Sequence, residues 1–441
     1  MDTASNSEEN LSVVITRPSK AYTRYVLFMI FLVAVFNTCD RTIMSIMVDD
    51  IKGDLNLTDR QMGFVMGLAF ALVHFLAGIP LARLADRWSR PRIISIALFS
   101  WSIMTALGGM AQNFGQLAVT RMGVGIGEAG GSPPSHALIA EYVSEKKRAR
   151  AMSILTVGAI VGLGFGVIYG GWASQSYGWR FALISVGLPG SLIAVLFWLT
   201  IKDRRETPSQ IESQESLFKT LHTLFSNRAF LLLTLAACMV NVTSMGRGLW
   251  EPTFLRRVYE MSAIEAGGWY FFISSIPTVF GALTGGYLID RLSQRDYRWY
   301  GWLPALSSLL LVPLSIVFYL YPPKNILFGF MPTAFVFSIL ISFFASFWAP
   351  ATMSLAQDLA PKNNRAMAAA AWSMTANFIG LGLGPLIVGD LNSRLEPFYG
   401  EQSVKYSLLI MSLTPIVAAL LYYKTAENLG IYKYKLQKAT S

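Results

Sequence analysis

The chain has 441 residues, of which 53 % are hydrophobic and only 14 % charged, with a formal net charge of +10 and a mean hydropathy of +0.46. A soluble domain carries about 25 % charge, so the composition excludes an ordinary soluble enzyme and points to a chain that lies largely in lipid. The basic excess would suit a nucleic-acid partner, but its distribution along the chain gives it another cause.

Residues 1–23 are polar and contain no apolar core, which predicts a cytoplasmic tail and no cleavable signal peptide. Apolar runs of bilayer length follow at about 24–48, 59–84, 92–111, 115–140, 151–173 and 180–201. Residues 202–228 hold nine charged residues and the run Thr207-Pro208-Ser209. They are too polar to insert and predict a cytoplasmic linker, with a surface helix around Leu217–Phe225. Six more apolar runs lie at 229–250, 264–288, 300–321, 326–356, 366–390 and 404–423, before a tail at 425–441. The expected fold is an all-α membrane protein, with twelve transmembrane helices in two six-helix bundles, 24–201 and 229–424. The longest runs imply tilt or helix that continues past the hydrocarbon. Of the 36 Lys and Arg, 25 fall on the side of the termini and the linker, 8 on the other side and 3 inside spans. That bias places both termini in the cytoplasm and explains the basic charge without nucleic acid. The expected setting is the cell inner membrane, crossed many times. Cys39 and Cys238 both lie in apolar runs and read as small buried residues without a disulfide framework.

The two halves repeat. At an offset of 204, Asn37 matches Asn241, Gly63 matches Gly267, Asp86-Arg87 matches Asp290-Arg291, and Ser89 matches Ser293. At 217, Pro133 matches Pro350, Glu141 matches Asp358, and Arg148 matches Arg365; at 218, Gly162 matches Gly380 and Gly166 matches Gly384. A near-constant offset over such a length predicts a duplicated unit. Two parallel six-helix halves around a central cavity form a transporter architecture.

The loop after span two, Ala82 to Arg90, resembles the G-x-x-x-D-R-x-G-R signature of the major facilitator superfamily, with Ala82 and Ser89 in place of glycine. The second copy, Gly286 to Arg291, keeps the first glycine. Asn37-Thr38-Cys39-Asp40-Arg41 and Arg121-Met122-Gly123-Val124-Gly125-Ile126-Gly127-Glu128-Ala129 resemble a bacterial member of the spinster-like group. The resemblance implies an amphipathic, lipid-like substrate. It also implies a cytoplasmic latch formed by Asp86, Arg87, Arg90, Glu141, Arg148, Asp290, Arg291, Asp358 and Arg365; for the basic members, positive-inside anchoring is the competing explanation. Gly162-x-x-x-Gly166-Val167-x-x-Gly170-Gly171 in span five is similar to the superfamily's antiporter signature with Val167 for proline. Glycine at four-residue spacing also serves plain close packing.

Charged side chains within spans cost about 2.5–3.5 kcal/mol on insertion scales, so they normally face a cavity or a partner. Span one holds Asp40 and Arg41, span four Arg121 and Glu128, span seven Arg247 and Glu251. Arg121 and Glu128 lie two turns apart on one face, too far for a direct pair, so each needs a partner from another helix. The expected cluster is Asp40, Arg41, Arg121 and Glu128, with Asp40 or Glu128 as the proton-carrying group; a fixed ion-pair network is the alternative. The repeat places Ser244 opposite Asp40, which assigns coupling to one half. Arg247 and Glu251, four apart near the far end of span seven, form either a gate or substrate contact or a solvated helix-end pair. Asn37 is a further substrate or gate residue. His74 is a packing residue or a substrate contact. A subset of the aromatics in spans seven, eight, ten and eleven, among them Trp250, Phe343 and Phe347, is expected to wall an apolar cavity.

No phosphate-binding loop supports an ATP-driven pump. No nucleophile or metal set suggests an enzyme, and no cofactor is expected. The expected function is a monomeric secondary transporter working by alternating access, proton-coupled, for an amphipathic lipid-like or organic anion or zwitterion. Proton symport or facilitated passage of a small organic anion, a carboxylate or sugar acid, is the alternative.

Overall fold

A computed structural model describes residues 19–203, 217–327, 329–361 and 364–440. The side chains of residues 79, 82, 83, 86, 87, 145, 146, 149, 217, 218 and 430–440 lie outside the description. Helices follow the expected runs. In the first half they are Lys20–Ile46 (span one), Asp59–Met66 with Leu68–Arg87 (two), Arg90–Gly108 (three), Phe114–Ala129 with Ser132–Tyr142 (four), Glu145–Tyr177 (five) and Trp179–Thr200 (six). In the second half they are Arg228–Val258 (seven), Ala263–Tyr270 and Ile276–Ser293 around a π-helical turn at Phe271–Ser275 (eight), and Trp299–Leu320 (nine). Phe335–Phe344 with Trp348–Asp358 (ten), Arg365–Tyr399 (eleven) and Ser403–Met411 with Thr414–Thr440 (twelve) complete the set. Among the described residues, ten segments are long and apolar enough to cross a bilayer; the last, Arg365–Leu429, contains spans eleven and twelve together. Span four, which carries Arg121 and Glu128, is not among the ten.

Two boundaries differ clearly from the hydropathy reading. The run expected from 326 opens as a hairpin, Ile326–Leu327 against Met331–Pro332, with Gly329 at φ +78° in the turn. Pro322, Pro323, Gly329 and Pro332 all oppose helix there, and helix begins only at Phe335. The final helix continues to Thr440 rather than stopping near 423. The linker helix lies where it is expected, at Leu217–Ser226, and it seats Leu224 in the core of the second half.

The repeat extends to capping. Thr58 and Gln61 form a capping box at the start of span two, and Ser262 and Glu265 form another at the start of span eight, again 204 residues apart. Each cap contributes about 1 kcal/mol to starting its helix.

Packing divides the molecule by depth. On the side of the termini and the linker there are separate cores for the two halves, one around Val26, Trp101 and Phe197 and another around Phe230, Leu355 and Tyr422. On the far side a single core joins both halves, with Ile43, Met62 and Val167 beside Trp250, Phe254 and Val388. The halves therefore share one core at one end and keep separate cores at the other, where spans two and eleven still touch through Phe75 and Phe378.

Glycines set the closest helix contacts. Gly162 and Gly166 lie on the backbone of span one at Val35 and Cys39, and their repeat partners Gly380 and Gly384 lie on span seven at Asn241 and Val242. A Cβ at Gly162 would overlap the Val35 carbonyl. Gly162→Val should therefore push spans one and five apart at a cost of about 1–3 kcal/mol. A thermal melt of the detergent-purified chain should show the loss as a lower midpoint, and an unchanged midpoint would contradict the contact.

Candidate functional site

The expected charged cluster assembles in the first half. Arg41 donates through Nε to Glu128 Oε2 at 2.5 Å. Arg121 donates from Nη1 to the backbone carbonyl of Asp40 at 3.3 Å, so it holds span one by its main chain rather than by the Asp40 carboxylate. Both guanidinium groups lie over the ring of Phe70 in span two, at 5.2 and 5.6 Å from its centroid. Cation–π contact of this kind contributes about 2 kcal/mol when desolvated. Asn37, one turn before Arg41, faces Glu128. The Arg41 side chain stays 36 % exposed while that of Glu128 is fully buried, so the pair has one foot in an open space. Asp40 is 1 % exposed, and neither of its carboxylate oxygens has a hydrogen-bond partner among the described residues. His74 stacks on Phe70 at 5.2 Å, and its Nδ1 lies 3.2 Å from the Gly125 carbonyl, which ties it to packing between spans two and four.

The second half holds a different arrangement at matching positions. Arg247 and Glu251 pair as their spacing suggests, Nε to Oε2 at 3.0 Å, but Glu251 is 1 % exposed and the solvated helix-end alternative is overturned. Arg247 donates to Ser338 at 2.8 Å and to Ser342 at 3.1 Å in span ten. Ser338 donates to Glu251 Oε1 at 2.9 Å, and Ser274 in the π-helical turn donates to Oε2 at 3.0 Å. A π turn of this kind recurs at functional positions in helices. The repeat offsets place Ser274 at the position of Phe70, Ser338 at that of Arg121 and Ser342 at that of Gly125. Thr278, the counterpart of His74, donates to the Ser342 carbonyl just as His74 meets that of Gly125. Each half thus buries a guanidinium among its first, second and fourth helices, supplied by span four in one half and by span seven in the other. Both carboxylate oxygens of Glu251 are bonded, whereas Glu128 Oε1 and both oxygens of Asp40 have no hydrogen-bond partner among the described residues.

Sequence reasoning missed the far-side network. Arg256 donates to Asp50 at 2.9 Å and to the Ile46 carbonyl at 2.7 Å. Arg257 bonds Asp49 at 2.7 Å and the buried Asp59 at 2.6 Å. Lys52 lies 3.0 Å from both Asp59 and Glu396, and Arg60 lies 3.4 Å from Asp390. All of these tie one half to the other except the contact of Lys52 with Asp59. Burial alone would lower the Lys52 pKa, but Asp59 and Glu396 outweigh it and hold the ammonium above its ordinary value. A signal was present: Asp49-Asp50 and Arg256-Arg257 are opposite doublets at helix ends on the same side. A cavity of about 780 Å³ opens over this network, lined by Asp49, Lys52, Arg256, Arg257, Glu260 and Glu396 among others.

On the side of the termini, Arg90 pairs with Glu141, Arg365 lies 3.7 Å from Asp358, and Tyr297 donates to Asp358. Arg291 reaches Tyr287 within its own helix, and Ser293 donates to the Asp290 carbonyl. The Arg148 Nε is buried without a hydrogen bond among the described residues. The side chains of Asp86 and Arg87 lie outside the described residues. The pairs described here each stay within one half. Of the aromatics expected to wall a cavity, Trp250 is core, buried and donating to the Pro385 carbonyl at 2.9 Å, while Phe343 and Phe344 are half-buried and pack on each other and on Phe347. Among the described residues no group of three metal-ligating side chains converges.

The Major Facilitator Superfamily model matches residues 30–385. An MFS-type efflux pump of Mycolicibacterium smegmatis is 29 % identical over 393 residues, 89 % of this chain and 90 % of that one. A probable galactarate/D-glucarate transporter of Bacillus subtilis is 24 % identical over 436 residues, 90 % of each. Among solved structures, a bacterial homolog of the human lysosomal transporter spinster, inward-facing and unoccupied, superposes with a TM-score of 0.82 at 26 % identity, covering 93 % of this chain and 98 % of that one.

Proposed function

Because the chain belongs to the Major Facilitator Superfamily as a spinster-like transporter, we propose that it carries an amphipathic lipid-like or organic anion or zwitterion by alternating access, coupled to protons across the inner membrane. One observation carries this reading. Two buried acids and two arginines sit together inside the first half, the acids incompletely bonded and Arg41 partly exposed. Intramembrane charge of this kind is functional by default. Protonation of Glu128 would release the Arg41 guanidinium for an anionic group, and deprotonation would recapture it. With the termini in the cytoplasm, the fused far side is external and the arrangement is inward-facing.

A second reading, a small organic anion as substrate, draws on the sugar-acid relative and on the bidentate fit of a guanidinium to a carboxylate. Purified protein in proteoliposomes distinguishes them, with labelled lysophosphatidylcholine and labelled galactarate as probes and a pH dye inside. The lipid-like reading expects competition by the lysolipid alone. Asp40→Asn and Glu128→Gln should each lower proton-linked transport by about a hundredfold or more, the low end of what a positioned proton-transfer group contributes. Unchanged rates and pH dependence in both variants would defeat the coupling.

A further inference from the structure

We propose that Ser102 and Thr105 of span three form a hydroxyl relay that carries protons to and from Asp40 between spans one, three and six, apart from the substrate path. The inference deepens the coupling reading above and rests on it. Buried serine and threonine in membrane helices normally donate to the carbonyl three or four residues back. Ser95, Thr120, Ser135 and Ser191 all do so here, at 2.7–2.8 Å. Ser102 and Thr105 do not. Both are buried, and neither hydroxyl has a hydrogen-bond partner among the described residues.

They sit where Asp40 needs them. The Thr105 hydroxyl interacts with the Asp40 carboxylate, but the two do not meet at full hydrogen-bond geometry, and no other described group satisfies either. One turn nearer the termini side, Ser102 Oγ lies by Phe36, which is one turn before Asp40 on span one. Span six closes the file with Gly187 and Gly190, and a methyl at Gly190 would overlap the Ser102 hydroxyl. Buried polar atoms without protein partners are ordinarily bridged by water. The relay conserves atoms: each hydroxyl passes its own proton to the next oxygen and takes one from the water beside it, and Asp40 gains or loses one O–H bond.

The charges that face Asp40 are few. They are Arg121 and Glu128 from span four, with Arg41 and Cys39 as its neighbours on span one. From span two, His74 lies beside Arg41. Span three carries no ionisable side chain between Arg92 and Gly108, span six none beyond Arg180, and span five none between Arg150 and Tyr169. Span seven meets the end of span one through Arg256 at Ile46. Hydroxyls are therefore the available proton-passing groups on the span three and span six side of Asp40.

The test uses the full chain in proteoliposomes, in sodium-free buffer, with whichever probe, lysophosphatidylcholine or galactarate, the unaltered chain carries. Thr105→Val and Ser102→Ala should slow substrate-linked proton movement by about tenfold or more. Exchange of labelled for unlabelled probe at equal concentrations needs no net proton transfer and should persist, which a merely structural loss would not allow. Thr105→Ser should restore the proton rate to within about twofold, because it keeps the hydroxyl. If the unaltered chain couples protons and both variants match it, the relay is wrong while the coupling reading stands. If the unaltered chain moves no protons, or moves substrate only with sodium, the coupling reading falls and the relay with it.

Discussion

Replacing Arg257 with alanine should open the far side of the protein. Arg257 is the most heavily engaged cation there, bonded to Asp49 and to the fully buried Asp59. Its loss leaves Asp59 with Lys52 alone. Breaking a buried pair costs about 3–5 kcal/mol. Asp49 is partly exposed, so only part of that applies here. Even 1.4 kcal/mol shifts a conformational equilibrium about tenfold. The cost falls on the state in which the halves are fused, since that is where the pairs exist. Ser45 is a suitable reporter: it is buried at the end of span one, and its carbonyl accepts from Thr253 of span seven. In a Ser45→Cys background, a membrane-impermeant thiol reagent added from outside should react about tenfold faster once Arg257→Ala is introduced. Arg257→Lys, which keeps the charge but not the fork, should fall between. Equal reaction rates in all three would mean that the ion pairs do not hold this side shut.

Arg247→Ala should be the most damaging single change to stability. It would strand Glu251, at 1 % exposure, with only Ser274 and Ser338 as donors. An uncompensated buried carboxylate costs about 3–5 kcal/mol, a large share of a protein's net stability. Loss of both charges at once behaves differently, because no charge is left unpaired. Arg247→Met with Glu251→Leu should recover most of the lost stability. Thermal melts of the purified variants measure both effects. If the double variant melts as low as the single one, the pair matters through something other than its mutual neutralisation. A double variant that is stable but no longer transports would make this network part of the substrate path.

Some of this was legible along the chain, and the particular residues show why. The i,i+4 spacing of Arg247 and Glu251 was enough to pair them, because helix geometry brings such side chains together in any context. Their burial was not legible, since the serines that bond them lie on spans eight and ten. The offset of 204 links Asn241 to Asn37 and also links the second capping box, at Ser262, to the first, at Thr58. The hairpin at Ile326–Pro332 was hidden by hydropathy, which ignores what proline and glycine do to the backbone. A ring's presence in a span likewise says nothing about which way it faces: Trp250 is turned into the core, while Phe272 is exposed.

The apolar runs, the duplication and the residues of the charged cluster can all be read along the chain. Hydropathy, charge bias and repeat spacing are local or additive properties, and no knowledge of packing is needed to read them. Packing alone pairs Arg41 with Glu128 and Arg121 with the main chain of Asp40, and sets Ser102 and Thr105 beside that acid. It also decided that the halves join on the far side, through Arg256 and Arg257. Those outcomes depend on the rotation, tilt and approach of whole helices, set by contacts such as Gly162 on Val35, and no single stretch of sequence contains both partners.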